Sequence, residues 1–204
     1  MASSQVEDTI TLEDRLKKII LDDPVTMELL HIVNRLQLKQ CWLVSGAIYQ
    51  NVWNTLSNKP LGNGIKDYDI IYYDADDLSY DGEDKHIGTL NKLSAHMRIE
   101  VELKNQARVH LWYPKRFQCP YPQLQTALQS LLYYASTTHS VAVRLSGRGE
   151  LEIHAPFGLE DIFSMIIRPN YALNNQKSYV SKAMRQQSIW PQLTVLPWEN
   201  DLTK

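Results

Sequence analysis

The sequence predicts an α+β domain, a mixed central β-sheet flanked by helices. Two periodicities and their order along the chain lead to that fold class. Near the N-terminus Leu12, Leu16, Ile19 and Ile20, then Leu29, Leu30, Val33 and Leu36, recur at helical spacing. Across residues 98–104 the period is two: Ile99, Val101 and Leu103 take one side, and Arg98, Glu100, Glu102 and Lys104 the other. Strand-like and helix-like stretches then mix without the regular alternation of a doubly wound sheet. A length of 204 residues is most simply one domain. Its N-terminal helices fall within 11–38, its core within 41–168, and its last helix and tail within 177–204.

The break at Asp23-Pro24 divides the first helical stretch into two helices, because proline cannot continue a helix from within. "QCWLVSGAIYQNVWNTLSN" passes from a short apolar run through the small-residue turn Ser45-Gly46-Ala47 into a helical period in Ile48, Val52 and Leu56. "KPLGNG" is a loop by its Pro and Gly content, and "YDIIYYD" is a strand by its β-branched and aromatic content. A helix is expected over 79–96. The alternation of 98–104 resumes in Val109, Leu111 and Tyr113, which predicts two strands joined near Asn105. Further helices are predicted over 124–134, over 157–168 as far as Pro169, and over 177–190. "SVAVRLSGRGELEIHAP" has the form of a hairpin turning at residues 146–149.

Composition narrows the function classes. With 44% hydrophobic and 22% charged residues, and 21 basic against 23 acidic side chains, the chain is an ordinary globular one carrying a formal charge of -2. That balance weighs against an obligate nucleic-acid binder, which shows a basic excess. Cys41 and Cys119 form neither a CxxC pair nor a zinc cluster, so reduced thiols are expected. No apolar run approaches the ~18 residues of a membrane span. "MASSQVEDTITLEDRL" lacks the basic start and apolar block of a leader. A cytoplasmic protein is the expectation, with no membrane partner.

The stretch "GIKDYDIIYYDADD" sets Asp67 and Asp69 one residue apart at the start of an apolar strand. Residues i and i+2 of a strand share a face, so the two carboxylates project side by side and repel unless a cation lies between them. A divalent metal with hard oxygen ligands, Mg²⁺ or Mn²⁺, relieves that repulsion. On these residues alone a capped strand entrance with one solvated aspartate is the commoner meaning. Glu102 on the polar side of the next strand can complete a ligand set, and Glu100 competes for the same role. The turn at Ser45-Gly46 opens a helix, where backbone N–H groups and the helix dipole favour a phosphate. A tight packing turn is the equal alternative.

"LVSGAIYQNVW" followed by "DYDI" resembles the signature of the DNA polymerase β-like nucleotidyltransferase superfamily: an apolar strand, a Gly-Gly or Gly-Ser turn and a helix, then an Asp-x-Asp strand. More closely, "QNVWN", "GIKDYDIIYYDADDLS", "VELKNQARVHLWY", "APFGLEDIF", "IIRPN", "SKAMRQQSIWP" and "PWEN" resemble the blocks of a family of small nucleotidyltransferases of unassigned substrate, over about 41–198. By position the resemblance makes Asp67 and Asp69 the paired metal ligands, Glu102 the third acid, and Ser45-Gly46 the phosphate-binding turn. Ser45 stands where a first Gly is common, Ala47 offers no hydroxyl, and "NKPLGNG" lengthens the interval to Asp67.

The resemblance implies transfer of a nucleoside monophosphate from an NTP to an acceptor hydroxyl, with the acceptor a small molecule, an RNA end or a protein. Cations for the triphosphate are sought among Lys66, Arg108, Lys182 and Arg185; the last two lie three apart on one predicted helix and share a face, and for either taken singly a solvated surface is the commoner meaning. His110 is a candidate base, with a structural histidine as the alternative. Trp42, Trp53, Trp112 and Trp190 read as core or groove wall. Two other functions stay open: a silent nucleotide- or protein-binding module of the same fold, and a metal phosphohydrolase, which normally adds histidines that do not adjoin the Asp pair here.

Overall fold

The computed structural model describes residues 10–199. The reading of the first residues as free of a leader, and the end of the tail, lie outside the described residues. Helix α1 (Leu12–Leu21) opens with a capping box: the Thr11 hydroxyl accepts from the Asp14 N–H and the Asp14 carboxylate accepts from the Thr11 N–H, both at 3.1 Å. Helix α2 (Pro24–Arg35) begins at the predicted break, with Pro24 in its first turn and Asp23 as N-cap, its carboxylate accepting from the Val25 N–H at 3.1 Å. Strand β1 (Trp42–Val44) leads through Ser45 into helix α3 (Gly46–Leu56).

Strand β2 (Tyr68–Tyr72), helix α4 (Tyr80–Ser94) and strand β3 (Val101–Asn105) follow. Strands β4 (Ala142–Leu145) and β5 (Leu151–His154) form the predicted hairpin, closed by the Ser146 N–H donating to the Glu150 carbonyl at 2.8 Å. Together they make a five-stranded sheet of order β3-β2-β1-β4-β5, in which β2 and β3 are parallel and the other neighbours antiparallel. Mixed pairing and flanking helices agree with the predicted α+β class.

Three predicted elements differ. The alternation after Asn105 belongs to a helix, α5 (Val109–Phe117), not a second strand. Val109, Trp112, Tyr113 and Phe117 also fit the helical period, and the exposed side of Leu111 shows that no buried sheet face receives it. Residues Leu128–Tyr133 form a 3₁₀ helix in place of the longer α-helix expected over 124–134. The stretch before Pro169 holds only a one-turn helix α6 (Glu160–Phe163), because Met165 turns to φ 55° and sends Ile166–Ile167 into strand β6. Helix α7 (Gln176–Ile189) matches its prediction within a residue at each end, and β6 pairs with strand β7 (Thr194–Val195).

Helix α3 is the pillar of the fold, buried along nearly its whole length. Its two buried asparagines are satisfied internally, as burial requires, whereas the Gln50 side-chain oxygen has no partner among the described residues. Asn51 donates to Asp23 at 2.7 Å and accepts from the Gly62 N–H at 2.7 Å; Asn54 donates to the Asn63 carbonyl at 2.9 Å and accepts from the Trp190 indole at 2.9 Å. These amides pin the "NKPLGNG" loop against the core. Gly64 completes the clamp at φ 75°, where an added Cβ would lie 2.8 Å from the Trp190 ring. The long loop before Asp67 is therefore held by the same helix that carries the turn at its N-terminus.

Candidate active site

Parallel pairing of β2 and β3 places Asp69 directly beside Glu102. Partners in register present their side chains to the same sheet face, so two carboxylates stand together there. Asp67 lies one step before β2, half-buried and with the Lys66 ammonium 3.7 Å away. Lys104, two residues on from Glu102 and on its face, forms an ion pair with that carboxylate. No three His, Cys, Asp or Glu side chains among the described residues are grouped closely enough, as they stand, to hold a metal.

The charges act on one another as this arrangement requires. Burial, and then the neighbouring Asp67 and Glu102, hold the Asp69 carboxyl above its ordinary value, against the pull of Lys104 and Lys182. The Lys104 hydrogen bond holds Glu102 below its ordinary value. Asp69 is thus the member of the group that most lacks a cation.

Asp69 lines a cavity of about 380 Å³ that also receives Ser45, Lys104, Lys182 and His139. Strands β2 and β3 and helices α5 and α7 line it, with Ser45 reaching it from the turn between β1 and α3. Ser45 adopts φ 61°, ψ -115°, a conformation that glycine takes readily and other residues only under strain. Its N–H donates to the Val141 carbonyl at 2.8 Å, and its carbonyl accepts from Ile48 and Tyr49. The Gly46 and Ala47 N–H groups belong to the first turn and find no carbonyl within the helix. A Cβ at Gly46 would lie 2.8 Å from the Gln50 amide nitrogen, so a larger residue there would have to displace the end of that side chain.

Behind the turn, α3 and α7 are tied through their side chains. Gln186 donates to the Tyr49 hydroxyl at 2.6 Å and pairs with the His139 ring at 3.0 Å, while His139 stacks on Tyr49 with centroids 4.6 Å apart. Burial, reinforced by Lys182 and Arg185, pushes the His139 pKa down to about 3. His139 is therefore a neutral ring at every pH near 7. The tie fixes where α7 delivers Lys182 to the cavity. Arg185, one turn on, donates to the Gly64 carbonyl at 3.3 Å.

Other sequence candidates sit elsewhere. Arg108 is buried against Glu83, donates to the Leu78 carbonyl at 2.9 Å and covers the Tyr80 ring, so it is a structural cation and no phosphate ligand. His110 does not line the cavity, and its Nδ1 is buried with no partner among the described residues. Trp53 and Trp190 are core; Trp112 lines the cavity. Lys104 and His139 were not singled out by sequence. The alternation that places Glu102 also places Lys104 beside it, so Lys104 was within reach of the pattern; His139 carried no such signal.

With this geometry, comparison with known proteins is decisive at the level of family. The family model described as nucleotidyltransferase matches residues 31–195, which include both strands of the carboxylate pair and helix α7. The chain belongs to the nucleotidyltransferase family. A search of curated proteins returned no match. Among solved structures, this nucleotidyltransferase is similar to an NMR structure described as revealing a CCA-adding enzyme head domain, at 23% identity and a TM-score of 0.73, covering 94% of this chain and 98% of that one. That likeness shows a shared fold. A crystal structure of a tRNA nucleotidyltransferase with a primer tRNA and an incoming ATP analogue aligns at 14% identity and a TM-score of 0.43, covering 82% of this chain and 46% of that one. No described helix is long and apolar enough to cross a membrane.

Proposed function

We propose that this enzyme transfers a nucleoside monophosphate from an NTP to an acceptor hydroxyl with the help of Mg²⁺ or Mn²⁺ held by Asp67, Asp69 and Glu102. The observation that carries the reading is the in-register pair Asp69 and Glu102 beside a cavity that also receives Ser45 and Lys182. The donors are the carboxylate oxygens that a hard divalent ion takes, and Asp69 is held by burial, then by the like charges of Asp67 and Glu102, in a state that a cation would relieve; as they stand the three are not grouped closely enough to hold one ion, so binding requires Glu102 to leave Lys104 and turn toward Asp69. When bound, such an ion lowers the pKa of the acceptor hydroxyl and neutralises charge on the phosphates.

The remaining work falls to the chain itself. The Gly46 and Ala47 N–H groups at the start of α3 donate to oxygens of the terminal phosphates, helped by the helix dipole. Lys182 places an ammonium over the same cavity, and Arg185 anchors the loop before Asp67 while adding positive charge. Lys104 balances the carboxylates and lies within reach of phosphate oxygens in the cavity. The Tyr49–Gln186–His139 tie keeps the turn and Lys182 at a fixed separation, which is what positioning of a triphosphate demands.

The test is incubation of the protein with each labelled NTP, Mg²⁺ or Mn²⁺ and a cell extract, followed by identification of the labelled component: RNA, protein or small molecule. Label on one class that disappears with Asp69→Asn supports the reading. Binding of NTP with no transfer to any component returns the protein to a binding role.

A further inference from the structure

One wall of the cavity plays no part in phosphate chemistry. Trp112, Tyr113, Phe117, Tyr121, Tyr133 and Tyr134 all line it, supplied by α5 and by the segment leading into β4. The rings form a connected set, with Tyr113 4.5 Å from Phe117 and 4.6 Å from Tyr121, and Tyr121 5.6 Å from Tyr133 between centroids. The ionised groups of the cavity, Asp69, Lys104 and Lys182, come from β2, β3 and α7, so charge and aromatic surface come from separate parts of the chain. Its volume falls within the roughly 300–1,000 Å³ of small-molecule sites. Asn175 adds an amide to the lining. Its Nδ2 leans on the Tyr133 carbonyl at 3.4 Å, which fixes the orientation of the group and leaves Oδ1 an acceptor with no partner among the described residues.

We propose that this aromatic wall is the subsite for the base of the incoming nucleoside triphosphate, resting on the nucleotidyl-transfer reading above. A planar, mostly apolar ring system carrying N–H donors is the ligand that such a lining accepts: aromatic side chains stack on any base face, and an unpartnered carbonyl takes an amino or imino hydrogen. The occupant is the nucleotide base and not an acceptor base because the cavity is bounded by Ser45 and Lys182. Glu102 and Arg116 lie outside it, and the adjoining groove lined by Lys104, Trp112, Lys115 and Arg116 is the one left for an acceptor. Recognition that rests on stacking favours purines over pyrimidines without excluding either.

Binding of ATP, UTP and inorganic tripolyphosphate by calorimetry tests this, with wild type, Trp112→Leu, Tyr113→Leu and Tyr113→Phe, each checked for its melting temperature. The expected result is ATP affinity about tenfold weaker in the two leucine variants, unchanged tripolyphosphate affinity, near wild-type ATP affinity in Tyr113→Phe, and tighter binding of ATP than of UTP by wild type. Equal loss of ATP and tripolyphosphate affinity, or no loss of either, overturns the base subsite while leaving nucleotidyl transfer standing. Wild type that binds a short single-stranded oligonucleotide in a Trp112-dependent way, with ATP affinity indifferent to Trp112 and Tyr113, gives the wall to the acceptor and also overturns it. Wild type that binds neither ATP nor tripolyphosphate removes the nucleotide reading itself.

Discussion

Two strand pairs at opposite edges of one sheet treat charge in opposite ways. Between β4 and β5, Arg144 and Glu152 face each other in register, 2.6 Å apart, with the guanidinium over the Trp42 ring at 4.2 Å. Between β2 and β3 the register sets Asp69 against Glu102. Opposite charges directly across a strand pair stabilise by ~0.2–1 kcal/mol, and like charges destabilise. The β4–β5 edge is what folding alone would choose. The β2–β3 edge sets like charges side by side and has Lys104 to offset them, the arrangement on which the proposed metal site rests.

Activity should separate the two edges most. Asp69→Asn keeps shape and hydrogen-bonding capacity but removes the charge, so label transfer should fall about 100-fold or more, the scale on which a single electrostatic group acts in a transition state. The melting temperature should hold or rise, because a buried, repelled carboxylate is gone. A variant that melts well below wild type would show Asp69 to be structural.

Metal binding is the next largest effect. A ligand that binds only the folded state stabilises it by about 2.7 kcal/mol at a hundred times its Kd. Mg²⁺ or Mn²⁺ should raise the wild-type melting temperature, and Asp67→Asn with Asp69→Asn should abolish the rise. An equal rise in both proteins rejects these ligands.

Acid titration divides the members of the like-charged pair. Asp69 is held above its ordinary 3.8, so its ionised form is the disfavoured one; its contribution to stability is greatest below 3.8 and is lost as pH rises through the folded-state value. Glu102, held below its ordinary 4.5, contributes above 4.5 and loses that contribution as pH falls through its folded-state value. His139, buried and neutral, contributes above its ordinary 6.5 and loses progressively as pH falls toward about 3. In urea melts, the advantage of Asp69→Asn over wild type should therefore grow as pH rises from below 3.8 through the folded-state value of Asp69, whereas His139→Gln should flatten the acid side of the stability curve. An advantage that shrinks over that interval contradicts the burial of Asp69.

Much of the β2–β3 edge could be read in the sequence, because its signals are local. Alternation over 98–104 puts Glu102 and Lys104 on one face, Asp67 and Asp69 share a strand entrance, and "LVSG" announces the turn. The aromatic wall could not be read the same way. Val109, Leu111 and Tyr113 satisfy a period of two while Val109, Trp112, Tyr113 and Phe117 satisfy 3.6, and only the folded chain, which leaves Leu111 exposed, decides between them. The helix expected before Pro169 failed for a related reason: "EDIFSMII" has helical content, but Ile167 is drawn into β6 to pair with Val195, far along the chain. The tie through His139, Gln186 and Tyr49 likewise joins residues distant in sequence, which a single sequence does not reveal.

The smallest effect gives the cleanest contrast, since it sets one substitution against itself at two places. Glu152→Gln removes the partner of Arg144 on a half-exposed edge, so it should cost between a few tenths and about 1 kcal/mol in denaturant melts and leave label transfer unchanged. Glu102→Gln removes the Lys104 ion pair but also relieves the repulsion of Asp69, two terms of opposite sign and similar size, so its stability should move by less. Its effect belongs in transfer, where a carboxylate facing Asp69 is lost and a neutral amide cannot replace it as a ligand for a hard cation. If the two substitutions exchange behaviour, with Glu102→Gln destabilising and active and Glu152→Gln inert in melts, the difference between the two edges would be one of exposure alone, and the third acid would have to be sought at Glu100, whose carbonyl already holds the Tyr68 N–H at 2.9 Å just ahead of the Asp69 step.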